Sequence, residues 1–274
     1  MQIAHFSDSH ITAPFSPGII PGLFSKRIAG FLNLYLRRRY QLINAERNLL
    51  NVLRDIKARG VDYIVFSGDI TAISLKHEFL RAREIIYNFI DKKKLFIIPG
   101  NHDQYTYLTS KNDLFHSFFT SKDDFISYPY PKIRIFEDQA IFVSINTSRF
   151  NPLFFDASGY ADPAEIGLAQ DFLNKNKKDM PVFLIIHHSL LAPGGIRDVF
   201  FHRLRNEKDI LDFIGKNHIK YVLSGHIHKY YIISCKNPQF TQYNPGSTAR
   251  GSNPGYFLYT LKKGHEIESE YISV

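Results

Sequence analysis

Five short apolar runs in this chain each end on acids, amides or imidazoles. Ile3–Phe6 runs into "SDSH", Tyr63–Phe66 into "SGD", Leu95–Ile98 into "PGNHD", Val182–Ile186 into "HH" and Tyr221–Leu223 into "SGHIH". Runs of this length are predicted as buried strands. The longest falls far below the roughly 18 apolar residues of a membrane span. Helical patterns separate them. Gln41–Arg59 places Leu42, Ala45, Leu49, Val52 and Ile56 near helical spacing and stops at Gly60. Ser74–Asp91, Leu108–Phe119 and Glu207–Lys216 are also predicted as helices. Another opens on Asp162 as N-cap, Pro163 at the first position and Glu165 as the capping-box acid. Ile133–Phe136 and Ala140–Ile145 read as a hairpin, and from Tyr230 onward the pattern is β throughout. Alternating β and α followed by a β-rich tail predicts a mixed α/β fold with two sheets, undivided by any linker over 1–274.

The polar endings share one place in this scheme, because C-terminal strand ends line the ligand crevice of an α/β sheet. Any one of them alone is an ordinary turn, helix cap or hydrogen-bonded histidine. Together they predict that Asp8, His10, Asp69, Asn101, His102, His187, His188, His226 and His228 converge. In Asp-Ser-His and His-Ile-His, side chains two apart in an extended chain would point to one side. Carboxylate, imidazole and amide oxygen donors suit divalent manganese, iron or zinc. The thiolates favoured by structural zinc are missing from these clusters; the chain has one cysteine, Cys235. Two ions about 3.5–4 Å apart need a bridging carboxylate and acidify a hydroxide that can attack phosphorus.

The order Asp-x-His, Gly-Asp, Gly-Asn-His-Asp, His, Gly-His-x-His resembles the calcineurin-like metallophosphoesterase family, from Asp8 to His228. The resemblance implies a four-layer αββα sandwich with two mixed β-sheets. It implies that Asp8, His10 and His228 bind one metal, that Asn101, His187 and His226 bind a second, and that Asp69 bridges them. Two divalent ions are the expected cofactors, manganese first, with iron or zinc as alternatives. His102 resembles the family histidine that stabilises the transition state or protonates the leaving group. Asp103 is expected to orient His102 by a hydrogen bond. Where the family often follows its histidine with a second His and prolines, this chain has His188-Ser189-Leu190, so pocket residues around Ser189–Gly195 are not carried over. His187 is taken as the ligand, with His188 as the alternative. "NPGS" at 244–247 is read as a hairpin turn or a substrate contact.

A net charge of +8 favours an anionic partner. Near the first cluster, about residues 14–40, lies a basic amphipathic insertion. Phe24, Ile28, Phe31 and Tyr35 share a helical face, and Lys26, Arg27, Arg37, Arg38 and Arg39 add five charges. Residues 23–39 are read as binding an anionic membrane surface, lidding the pocket, or packing on the domain. Three functions follow. The first is hydrolysis of a phosphodiester or pyrophosphate in a phosphorylated small-molecule or lipid-linked substrate, as in the UDP-diacylglucosamine pyrophosphatases. The second is a soluble cyclic-nucleotide phosphodiesterase, and the third a metal-binding interaction scaffold. A DNA nuclease is a weaker fourth, since it would need additional DNA-binding segments. "MQIAHFSDSH" lacks the regions of a secretory signal, and one cysteine suits a reducing compartment. A cytoplasmic protein is expected, with peripheral attachment to the inner membrane face if residues 23–39 bind lipid.

Overall fold

The strands form two sheets. A computed structural model describes residues 1–12, 26–33, 36, 39–119, 130–136, 139–177, 179–250, 254–262 and 266–274. Of the expected insertion, Phe24, Tyr35, Arg37 and Arg38 lie outside the described residues, as do the side chains of Phe31 and Arg39. The first sheet has the order β11(Ile267–Ser273), β10(Gly255–Leu261), β1(Gln2–Phe6), β2(Tyr63–Phe66), β3(Leu95–Ile97). Its β1, β2 and β3 are parallel, and β10 is antiparallel to both neighbours. The second has the order β4(Lys132–Phe136), β5(Ala140–Ser144), β6(Val182–Ile185), β7(Tyr221–Leu223), β9(Gln239–Pro245), β8(Tyr230–Lys236). Here β5, β6, β7 and β9 run parallel, with β4 and β8 as antiparallel edges.

Three apolar clusters define four layers. Ile3, Val65, Phe96, Phe142, Phe183, Leu223 and Phe257 join side chains of both sheets in one inner core. Ala4, Phe6, Ile64 and Phe66, one residue out of phase, face α3(Ala45–Arg59), α4(Lys76–Phe89) and α6(Leu114–Phe119). Val143, Leu184 and Val222 do the same towards α7(Pro163–Asn176) and α8(Glu207–Asn217). A period of two with both faces buried explains why these strands read as continuous apolar runs. The result is the expected αββα sandwich. No helix among the described residues is long and apolar enough to cross a membrane.

Several helix boundaries differ from the sequence reading. The pattern over Gln41–Arg59 breaks at a turn, giving α2(Arg39–Leu42) before α3. Leu108–Phe119 is likewise two helices, α5(Tyr107–Lys111) and α6. Ser74 is not the start of α4: it has φ 53° and its hydroxyl donates to Thr109 Oγ1 at 3.2 Å. The start is closed by Glu78, which accepts from the Ile73 and Leu75 amides at 3.1 and 3.0 Å. Asp162 caps α7 through the Ala164 amide. Glu165 instead accepts from the Asn146 amide at 3.0 Å, so it ties the site loop to α7 rather than closing a capping box.

Burial pushes the Glu78 carboxyl up to about 8, against the pull of the two amides it caps. Its pKa in the folded chain thus lies above that of the unfolded chain. The stabilisation is complete below the ordinary value of 4.5 and is lost as pH rises through about 8. Folding stability should fall across that window by at most about 1.4 kcal/mol per pH unit from this group. Glu78→Gln, which keeps an acceptor for the amides, should flatten the slope in denaturant unfolding. An unchanged slope would show that other groups set it.

Candidate metal centre

The loops after β1 and β2 run side by side and are stitched together beyond the sheet. Asp8 donates its amide to Gly68 O at 2.9 Å, His10 to Asp69 O at 3.0 Å and Ile11 to Ile70 O at 2.8 Å. Asp8, His10, Asp69, His226 and His228 all have positive φ, between 41° and 75°. The chain is therefore not extended through Asp-Ser-His or His-Ile-His. The side chains converge because alternate residues take the left-handed conformation, each at a cost of about 1–2 kcal/mol. Such strain persists where surrounding bonds over-determine it, and functional sites are where it collects. Gly100 permits the close approach of the third loop: a Cβ there would lie 2.1 Å from Asp69 Oδ1.

Three groups of donors result among the described residues, and Asp69 belongs to two of them: Asp8, His10, Asp69 and His228 in one, Asp69, His187 and His226 in the second, with Asp198, His202 and His226 a third beside it. In the first, His228 Nε2 lies 3.0 Å from Asp8 Oδ1, and His10 Nε2 lies 3.0 Å from His228 Nε2. Asp69 Oδ2 is 3.7 Å from His10 Nε2, and its Oδ1 is 3.5 Å from His187 Nε2. Asn101 joins the second group, its Oδ1 3.2 Å from His187 Nε2. His187 Nδ1–H donates to Ser67 O at 2.8 Å, which turns Nε2 and its lone pair towards Asp69. His226 Nε2–H donates to His202 O at 2.8 Å, leaving Nδ1 for the cluster.

These donors fit cations. Two facing imidazole nitrogens at 3.0 Å can share no more than one proton. Asp8 Oδ1 is buried without a well-formed hydrogen bond, although His228 Nε2 is close. Burial alone would raise the Asp69 carboxyl, but His187, His102 and His10 override it and hold it well below the carboxylate range. Burial would lower His187; Asp69 instead pushes it up to about 9. Asp69 thus favours positive charge at His187, while burial lowers His226 and His228 and favours their neutral form, which offers a lone pair.

His188 points away from the two groups that share Asp69. Its Nδ1 meets Thr147 Oγ1 at 2.9 Å and its Nε2 meets Ala157 O at 3.0 Å, so both ring nitrogens are engaged. Burial, followed by the neighbouring His187, holds its pKa well below the usual value. His102 stands beside the first group, edge-on to His10 with ring centroids 4.7 Å apart, its Nδ1 2.5 Å from Ala72 O. Asp103 does not orient it. The Asp103 carboxylate accepts from the Ile70, Thr71 and Gly100 amides and the Thr71 hydroxyl, so it ties the second and third loops together. In "NPGS", Ser247 Oγ donates to Asp8 O at 2.7 Å, so this turn buttresses the first loop.

The donors open into a cleft of about 200 Å³, lined also by His102, Ala157, His202 and Arg250. Ala157, His202 and Arg250 come from loops, and no strand ending in the sequence marked them. At the same edge sits α1(Lys26–Asn33), part of the basic insertion. Its Lys26 donates to Asn151 O and lies 4.8 Å over the Tyr105 ring, which stacks on His102 at 5.5 Å. Arg27 donates to Ser74 O and Thr109 Oγ1. Two of the five insertion charges therefore face the protein.

A four-layer αββα sandwich with two acid–imidazole groups sharing a carboxylate defines a metal-dependent phosphoric ester hydrolase. The chain belongs to the calcineurin-like phosphoesterase family, which it matches over residues 1–230. It is 25% identical over 228 residues to a probable cyclic nucleotide phosphodiesterase of Vesicomyosocius okutanii subsp. Calyptogena okutanii, covering 80% of this chain and 85% of the relative. Among solved structures it superposes on a dimetal phosphatase from Danio rerio with TM-score 0.63 at 13% identity, covering 100% of this chain and 98% of that one. It also superposes on the anchor protein of the Plasmodium inner membrane complex, with TM-score 0.59 at 13% identity, covering 100% and 84%. At these identities the structural likeness is one of fold.

Asn101→Ala removes one donor of the second group and leaves the first intact. Metal content per chain, measured by plasma mass spectrometry, should fall from two ions towards one. Retention of two ions would exclude Asn101 as a ligand.

Proposed function

We propose that this chain hydrolyses a phosphodiester of the nucleotide type, with cyclic nucleotides as the first candidates, at a dinuclear centre. The sharing of Asp69 by two donor groups beside His102 carries this reading. Asp8, His10 and His228 would hold one ion, Asn101, His187 and His226 the other, with Asp69 between them. Manganese is preferred, with iron or zinc also suited to these donors. When bound, such ions neutralise phosphate charge and make water acidic enough to serve as a nucleophile near neutral pH.

The chain's own residues supply the remainder. His102 keeps Nδ1–H on the Ala72 carbonyl, which fixes the ring, and its Nε2 is the atom assigned to proton transfer. In its protonated form it gives that proton to the departing oxygen. Arg250 lines the same cleft and offers a guanidinium to a phosphate oxygen. The similarity to a probable cyclic nucleotide phosphodiesterase supports the substrate class. A UDP-linked glycolipid substrate is the competing reading, and its expected membrane contact through residues 23–39 has less support, since Lys26 and Arg27 face inward.

A panel of cyclic nucleotides, UDP-linked glycolipids and simple monoesters, assayed with added manganese, should show cyclic nucleotides turned over best. Preference for the glycolipid would replace this reading. Across aryl phosphodiesters, His102→Ala should slow poor leaving groups by about 10²–10⁴-fold and activated ones far less. Equal losses would assign His102 an electrostatic task instead.

A further inference from the structure

Two loops at the mouth of the cleft carry the same sequence pattern. Leu153-Phe154-Phe155-Asp156 and Val199-Phe200-Phe201-His202 each present an aliphatic residue and two phenylalanines before a polar residue. The loops pair with each other: Ala157 N donates to Phe201 O at 2.8 Å, Gly159 N to Arg203 O at 3.1 Å and Arg205 N to Gly159 O at 3.0 Å. Pairing brings the aromatic residues together. Phe155 and Phe201 lie edge-on at 5.1 Å, with Phe154 and Phe200 at 5.3 and 5.2 Å beside them. Yet all stay in solvent: Phe154 is 67% exposed, Phe200 56% and Val199 70%. An apolar cluster that the fold assembles and then leaves uncovered marks an interaction surface.

Its charge is one-sided. Two acids here are held in ion pairs, Asp156 with Arg205 and Glu207 with Arg197, and Asp198 accepts a hydrogen bond from His202 Nδ1. Arg149 and Arg203 form no ion pair among the described residues and lie instead over the rings of Tyr160 and Phe200, at 4.9 and 5.5 Å. We propose that this crest docks the enzyme on an anionic lipid surface, the phenylalanines entering the headgroup and acyl boundary and the arginines meeting acidic headgroups. The ring geometry separates this partner from single-stranded nucleic acid. Neighbouring rings meet at 84–89°, so they offer no series of parallel faces for successive bases. The flanking Leu153 and Val199 suit hydrocarbon and add nothing to stacking. A second copy of the chain would bring arginines against arginines.

The crest is joined to the chemistry through its base. Ala157 O receives His188 Nε2, and His202 O receives His226 Nε2, so both loops contact histidines of the site. Docking would set the cleft at the lipid surface whether or not the nucleotide-type substrate proposed above is correct.

Flotation of the full chain with phosphatidylglycerol-containing vesicles tests this, with pure phosphatidylcholine vesicles for comparison. The chain should float with the anionic vesicles, more weakly at high salt. Phe154→Ser with Phe200→Ser should lower the bound fraction by about tenfold or more. Circular dichroism and the unfolding midpoint report whether that variant still folds. Tyr107→Ser with Leu108→Ser, exposed positions outside both loops, should float as the parent does. Failure to float would overturn the proposal, as would flotation that survives the double phenylalanine change. So would flotation lost on changing Arg37, Arg38 and Arg39 to Glu but not on changing the phenylalanines. Binding of a single-stranded oligonucleotide in place of vesicles would overturn it too.

Discussion

The Asp69 carboxylate is buried between two sets of imidazoles, and three strand ends are bent to keep it there. A carboxylate removed from water requires compensating charge and hydrogen bonds. The His102 amide donates to its Oδ1 at 2.8 Å, His187 faces the same oxygen and His10 faces the other. Holding those partners at once explains the cluster of left-handed residues, whose strain is borne by backbone bonds between neighbouring loops. It also explains why Gly100 lacks a side chain, since any Cβ there would displace the carboxylate.

Support for Asp69 extends outward in layers. Asp103 ties the second and third loops through three amides and a hydroxyl, and Ser247 and Thr248 brace the first through Asp8 O and Ser7 O. Asn244 reaches Gly225 O and Ser189 Oγ, joining the fourth and fifth loops. Beneath them the inner core packs both sheets face to face, which sets the strand ends at a common edge. Above them the two phenylalanine-bearing loops flank the mouth and hold His226 by a backbone carbonyl. Ligand geometry and the exposed crest are thereby parts of one hydrogen-bonded structure.

Strand ends were legible in the sequence because a buried strand is a short apolar run, and polar groups directly after it have few places to go except the sheet edge. Two sheets in a mixed α/β fold followed from the alternating pattern and the β-rich tail, whereas the four layers came from the family resemblance. Readings that depended on local backbone went astray. Asp-Ser-His suggested an extended chain, whereas positive φ at Asp8 and His10 does the converging. The adjacency of His102 and Asp103 suggested a pair, but the His102 ring bonds to the Ala72 carbonyl while the Asp103 carboxylate bonds to the Ile70, Thr71 and Gly100 amides. Glu165 had the spacing of a capping box and was drawn to the Asn146 amide by tertiary contact. His202 and Arg250 reach the cleft from loops whose course is fixed only by packing, so nothing next to them in sequence could announce them.

Anomalous diffraction from crystals of the manganese-loaded protein addresses the role of Asp69 most directly. Two peaks should flank its carboxylate, about 3.5–4 Å apart, one against Asp8, His10 and His228 and the other against Asn101, His187 and His226. A single peak, or two that do not share Asp69, would contradict the account.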